Sequence, residues 1–216
     1  MRLVLPKLYV ILDAALISPD KSEVETAISL AEAGVCLLQY RNKGAAAREL
    51  LEKSSALAEV LTPRGVSFVV NDRPDVAVLA GARGVHVGQD DLEVGSARRV
   101  VGADRWVGVS THNLAQFRAA AMSSADYVAV GPIFATDSKA NPDPVVGLEL
   151  LRQARPLTQK PIVAIGGISL ERAAEVIEAG ADSAAVISGI LSSADPVARA
   201  RQYLEQLEGA KSARAV

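Results

Sequence analysis

Short apolar runs alternate along the chain with longer stretches in which apolar positions recur every three or four residues. The runs Leu8–Leu12, Val35–Gln39, Val66–Val70, Gly84–Val87, Arg105–Val109, Tyr127–Val130, Ile162–Ile165 and Ser183–Ile187 are continuous rather than alternating. That is the pattern of parallel strands covered on both faces. Between them the spacing is helical, with Val24, Ala27, Ile28 and Ala31 in the first stretch and Ala173, Ala174 and Ile177 in the seventh. Ser22 with Glu25 reads as a capping box at a helix start. Glu32-Ala33-Gly34 and Glu178-Ala179-Gly180 each close a helix just before a strand, and Ala80-Gly81 is a weaker echo. Glycine there supplies the left-handed conformation that ends a helix.

Eight strand–helix units in 216 residues leave 27 residues per unit. This predicts an α/β fold, a single (β/α)8 TIM barrel over residues 1–208, with an open doubly wound sheet as the structural alternative. The stretch 209–216 (GAKSARAV) reads as a frayed tail. Half of the residues are hydrophobic and 22% are charged, with a formal net charge of −2. That balance argues against a nucleic-acid scaffold or a polybasic membrane binder. A single cysteine, Cys36, excludes an intramolecular disulfide framework, and two histidines make a histidine-rich metal site a poor fit. Pro6, Lys7 and Asp13 interrupt the first apolar stretch, and no run approaches the roughly 20 residues needed to span a bilayer. The resulting expectation is a soluble cytoplasmic protein; a homo-oligomer is compatible with the sequence, which carries no signature of one.

In such a barrel the chemistry lies where strands end and helices begin. After the second strand comes Gln39-Tyr40-Arg41-Asn42-Lys43, in which Gln39, Arg41 and Lys43 share a face if the strand continues. A doubly cationic row suits a multiply charged anion, although a solvated loop reads the same way. Asn71-Asp72 follows the third strand and Gly88-Gln89-Asp90-Asp91 the fourth. Carboxylates leaving adjacent strand ends can share a Mg²⁺ ion, or each can cap its helix. Ser110-Thr111-His112-Asn113 follows the fifth strand; its hydroxyls suit an anion or a cap, and His112 is expected to be structural or to support a neighbour. His86 falls inside the fourth strand and is expected to be a core or lining residue. The sixth strand leads into a long connection with Thr136, Ser138 and Lys139, followed by Pro142 and Pro144. The seventh and eighth strands end in Gly166-Gly167-Ile168-Ser169 and Ile187-Ser188-Gly189-Ile190, a pairing that suits phosphate.

Together these segments resemble the thiamine phosphate synthase family, from Leu8 through Ser188. The matching pieces are Gln39 to Lys43, Asn71-Asp72, Gly84 to Asp91, Gly108-Val109-Ser110, Gly131 to Lys139, Gly166-Gly167-Ile168 and Ile187-Ser188-Gly189. The resemblance implies a Mg²⁺-dependent transferase that joins hydroxymethylpyrimidine diphosphate to thiazole phosphate, releasing diphosphate. It implies that Gln39, Arg41, Lys43, Asn71, Ser110 and Lys139 contact the pyrimidine diphosphate, with Arg41, Lys43 and Lys139 stabilising the departing charge. By the same resemblance Asp72 and Asp91 hold Mg²⁺, while Thr136, Ser138, Gly167, Ile187 and Ser188 hold the thiazole phosphate. Tyr40, Asn42 and Asp137 lie inside the matching segments and are counted with the substrate-binding residues.

The chain departs from the family in having Ala135 where proline is frequent and Ser138 where threonine is frequent. A related thiazole tautomerase would carry a histidine where Pro132 stands here, and would not need the cation row or the paired carboxylates. A non-catalytic barrel that binds thiamine phosphate is the alternative outside enzymology.

Overall fold

The computed structural model describes residues 3–18, 20–136 and 144–210. Eight parallel strands close into a barrel in sequence order. They are β1 (Leu8–Asp13), β2 (Leu37–Arg41), β3 (Ser67–Asn71), β4 (Gly84–Val87), β5 (Trp106–Thr111), β6 (Tyr127–Val130), β7 (Ile162–Ile165) and β8 (Ser183–Val186). The β1–β8 pairing, Leu8 with Ala184 through Val10 with Val186, completes the closure and excludes the open sheet. The helices are α1 (Glu23–Glu32), α2 (Ala47–Leu61), α3 (Pro74–Leu79), α4 (Val94–Val101), α5 (Leu114–Met122), α6 (Gly147–Ala154), α7 (Ala173–Glu178), α8 (Ser188–Leu191) and α9 (Pro196–Glu208).

Continuous apolar strands are required because both strand faces are buried, and the period of two sorts them into two cores. Leu8, Val10, Leu12, Leu38, Tyr40, Val85, Val107 and Val128 face outward and pack under the helices. Tyr9, Ile11, Leu37, Val69, Tyr127, Ala129, Val163 and Ala185 fill the barrel interior. The same parity carries Asp13, Arg41, Asn71 and Ser110 inward at the strand ends, where the apolar filling stops.

Helix boundaries follow the expected punctuation. The Ser22 hydroxyl accepts from the backbone N–H of Val24 (3.2 Å) and Glu25 (3.5 Å), capping α1. Gly34 and Gly180 close α1 and α7 with φ of 105° and 120°. At the end of the described chain, Lys7 Nζ donates to the carbonyls of Leu207, Glu208 and Ala210. Ala210 is buried, so the chain stays docked one residue beyond Gly209, where fraying was expected to begin. Residues 211–216 lie outside the described residues.

Candidate active site

Two cavities open at the carboxyl ends of the strands. The larger, about 600 Å³, runs from Asp13 and Arg41 to the loops that follow β6, β7 and β8. The smaller, about 390 Å³, lies over β2, β3 and β4 and includes Gln39, Lys43, Asn71, Asp72, Gln89 and Asp91. Arg41, Ser110, His112, Ile165, Ala185 and Ile187 line both, so the two spaces adjoin along a common wall.

The cation row of β2 is built by strand parity. Gln39 points to the barrel axis, 2% exposed, and its Nε2 donates to the Tyr9 hydroxyl at 2.8 Å. Arg41 stands one pleat higher and donates to the buried Asp13 carboxylate, its register partner on β1. Asp13 is a site residue that no motif announced; it carries the inward parity of Tyr9 and Ile11. Lys43 continues the row beyond the strand and pairs with Asp72 at 2.9 Å. Tyr40 and Asn42 have the opposite parity. Tyr40 is fully buried in the outer core, with its hydroxyl 3.4 Å from Glu23 Oε1. The Asn42 carbonyl oxygen accepts from the N–H of Gly44 and Ala45, and its Nδ2 donates to Tyr40. Neither residue lines either cavity, and the contacts of both support the β2 end.

The carboxylates that follow β3 and β4 do not cap helices. The residue before α3 is Arg73 and the residue before α4 is Glu93. Asp72 instead has φ 62°, a left-handed conformation that turns its carboxylate toward Lys43. Such backbone costs a side-chain-bearing residue on the order of 1–3 kcal/mol and collects at functional sites. Asp91 Oδ2 accepts from Gly88 N–H at 2.7 Å, and its carboxyl meets that of Asp72. Burial and then the Asp72 carboxyl raise the pKa of Asp91, with the Gly88 N–H and, less, Lys43 only partly opposing them. Among the described residues, no group of three His, Cys, Asp or Glu is placed to hold an ion by itself. Two facing carboxylates short of positive charge still fit a Mg²⁺ ion that takes its remaining oxygens from water and a phosphate.

Ser110 is likewise not a cap, because Asn113 caps α5 through its own side chain. Its Oγ lies 2.9 Å from His86 Nε2, and Gln89 Nε2 holds its carbonyl at 2.7 Å. His86 is buried, as its place inside β4 predicted. His112 Nδ1 sits 2.6 Å from the Gly131 carbonyl, and the ring forms part of the common wall.

Thr136, Gly167, Ile187 and Ser188 all line the larger cavity. A Cβ on Gly167 would lie 2.2 Å from the Ala135 carbonyl oxygen, and one on Gly166 2.6 Å from Pro132 Cα. The glycines therefore let the loop after β7 lie directly on the loop after β6, which brings Thr136 and Gly167 to one cavity. Asp137, Ser138 and Lys139 lie outside the described residues.

A closed eight-stranded barrel with its polar groups gathered at the carboxyl ends of the strands is the architecture of the (β/α)8-barrel enzymes. Residues 8–190 match the thiamine monophosphate synthase family, to which the chain belongs. It is 52% identical over 206 residues to a thiamine-phosphate synthase of Koribacter versatilis, covering 94% of this chain and 96% of that protein. It is 44% identical over 196 residues to one of Chloroflexus aurantiacus, covering 91% and 90%. Among solved structures, thiamine phosphate pyrophosphorylase from Pyrococcus furiosus superposes with a TM-score of 0.84 at 33% identity, covering 94% of this chain and 95% of that one.

Proposed function

We propose that the protein couples the diphosphate ester of a hydroxymethylpyrimidine to thiazole phosphate, forming thiamine phosphate and diphosphate, with each reactant in one of the two adjoining cavities. The observation that carries this reading is the shared wall. The smaller space has cations and paired carboxylates for a diphosphate, and the larger has hydroxyl- and glycine-bearing loops for a monophosphate. A reaction that joins two anionic substrates needs both sites to open on one reacting point.

In this scheme Asn71, Arg41, Lys43 and Ser110 bind the pyrimidine diphosphate above Gln39, and Lys139 joins them from the loop after β6. Asp72 and Asp91 are the residues that would hold Mg²⁺, which supplies charge neutralisation to the leaving diphosphate. The pyrimidine methylene carbon loses its bond to the diphosphate oxygen, and the ring amino group stabilises the cation that results. The thiazole nitrogen then donates its electron pair to that carbon. Arg41 and Lys43 oppose the charge that grows on the departing oxygens, a stabilisation strongest in the transition state. Thr136, Gly167, Ile187 and Ser188, with Ser138, hold the thiazole phosphate so that the nitrogen faces the common wall. No protein nucleophile is required. Pro132, at the position where a tautomerase would present a histidine, lines the larger cavity without a titratable group.

Among the described residues no helix is long and apolar enough to cross a membrane. Small soluble reactants place this chemistry in the cytoplasm in our reading. The test is to mix both substrates with purified protein and Mg²⁺ and to follow thiamine phosphate and diphosphate. Equal amounts of both products, lost with a chelator and restored by Mg²⁺, are expected; no Mg²⁺-dependent product would refute the proposal.

A further inference from the structure

Five polar side chains cross the barrel from β2 to β5 as a single hydrogen-bonded chain. Gln39 Nε2 donates to the Tyr9 hydroxyl at 2.8 Å. The Tyr9 hydroxyl lies 3.1 Å from that of Tyr127, which lies 3.1 Å from His86 Nδ1. His86 Nε2 is 2.9 Å from Ser110 Oγ. Tyr9, Gln39 and Tyr127 are almost wholly buried. The Tyr127 ring reaches the axis over Gly108, where a Cβ would lie 2.1 Å from its Cζ.

The start of this chain has a defined donor. An amide nitrogen can only donate, and each phenol has one hydrogen to pass on. A phenol accepts as well as donates, so the Tyr9–Tyr127 and Tyr127–His86 contacts are each open to either direction. The one arrangement that runs continuously on from Gln39 has Tyr9 donating to Tyr127, Tyr127 to a bare His86 Nδ1, and a protonated Nε2 to Ser110. In that arrangement Ser110 is left with its hydroxyl hydrogen to give, at the wall shared by the two cavities. Burial raises the pKa of both Tyr9 and Tyr127, so both phenols keep the hydrogens the relay needs.

We propose that Tyr127 is a positioning residue that fixes the tautomer of His86 and so turns Ser110 into a hydrogen-bond donor toward the bound diphosphate ester. Tyr127 lines neither cavity, so it can reach the ligand only through the two cavity residues it touches, Tyr9 and His86, of which His86 leads to Ser110. The catalytic part of the inference rests on the functional reading given above; the tautomer does not.

The chain contains two histidines, and the second serves as an internal control. Since a carbonyl only accepts, His112 carries its hydrogen on Nδ1, toward Gly131, which is the opposite tautomer. Nitrogen-15 NMR of imidazole-labelled protein without substrate should show one ring bare at Nδ1 and one protonated there, with the second assigned by its loss in His112→Gln. Tyr127→Phe should leave His86 as a mixture of tautomers. It should also raise KM for the pyrimidine diphosphate about tenfold, with KM for thiazole phosphate unchanged. In a Ser110→Ala background the same substitution should add less than about twofold, because the residue it acts through is gone. A protonated His86 Nδ1 in the unmodified protein would overturn the proposal. So would a Tyr127→Phe effect of equal size with and without Ser110. Lack of turnover by the unmodified protein would overturn the functional reading instead, and the spectrum would then decide the direction of the chain alone.

Discussion

Asp13 and Arg41 are register partners at the ends of β1 and β2, and their side chains form an ion pair at the junction of the two cavities. The Asp13 side chain is 5% exposed and that of Arg41 18%. Such a pair holds the guanidinium at a defined place, and removing one partner strands the other charge in a poorly solvated position. Asp13→Ala should therefore cost about 3 kcal/mol, close to a 10 °C fall in Tm for a chain of this size. Asp13→Asn, which keeps a hydrogen-bond acceptor, should lose less stability while still lowering kcat/KM with the pyrimidine diphosphate. Thermal melts and steady-state kinetics on both variants check this; an Asp13→Asn enzyme with wild-type kinetics would show that Arg41 needs no positioning.

Tyr40 provides the opposite case. It stands between two cavity residues in sequence, yet its ring packs under α1 and its hydroxyl meets Glu23 and Asn42. Tyr40→Phe should leave KM for both substrates unchanged and cost no more than about 1 kcal/mol, the net worth of a hydrogen bond. A several-fold rise in either KM would place Tyr40 in the site.

Much of this was legible from period and punctuation. All eight strands begin or end within two residues of the apolar runs, because parallel strands buried on both faces leave little else for such runs to be. The rule that joins Gln39, Arg41 and Lys43 also separates Tyr40 and Asn42 from them; those two entered the set with the matching segment, against the parity. Asp13 was legible by the same rule, one residue beyond a run with Tyr9 and Ile11 on the inward face. The relay was not legible. Tyr9 and Tyr127 are 118 residues apart and read locally as ordinary strand aromatics, and only closure of the barrel brings their hydroxyls together. The capping alternative for Asp72 and Asp91 also needed coordinates, since it is settled by where α3 and α4 begin.

Gly108 tests whether the barrel interior depends on the crossing of Tyr127. A methyl group there would overlap the ring, with atoms 2.1–2.4 Å away and no flexible side-chain end to yield. Overpacking of this kind costs about 1–3 kcal/mol or more. Gly108→Ala should lower Tm by several degrees, and the Gly108→Ala/Tyr127→Leu pair should recover part of the loss. Calorimetry of the two proteins separates the outcomes. A Gly108→Ala protein as stable as the parent would mean that the ring does not sit over this residue.

Asp91 faces a second carboxylate, and burial with that neighbour disfavours its charged form. Without metal, Asp91→Asn removes an unfavourable charge and can keep the acceptor for Gly88 N–H. Its Tm in chelator should thus be equal to or above that of the parent. The Mg²⁺ concentration for half-maximal turnover should rise at least about tenfold, since one of two hard ligands has lost its charge. Metal titrations of turnover, paired with melts in chelator, distinguish a ligand from a structural residue. Lower stability with an unchanged Mg²⁺ requirement would remove Asp91 from the metal site.

Ser188 lines the larger cavity and Asp91 the smaller, on opposite sides of the shared wall. If each space takes one substrate, the two variants should have separable signatures. Ser188→Ala should raise KM for thiazole phosphate by roughly threefold to tenfold, the loss of one hydrogen bond to a charged group. It should leave KM for the pyrimidine diphosphate and the Mg²⁺ requirement unchanged, whereas Asp91→Asn should move the Mg²⁺ requirement and leave KM for thiazole phosphate alone. Kinetics with each substrate varied in turn will show the split. Should Ser188→Ala weaken both substrates equally, the cavities are not separate binding sites, and the division of labour along the Arg41–Ser110 wall fails with them.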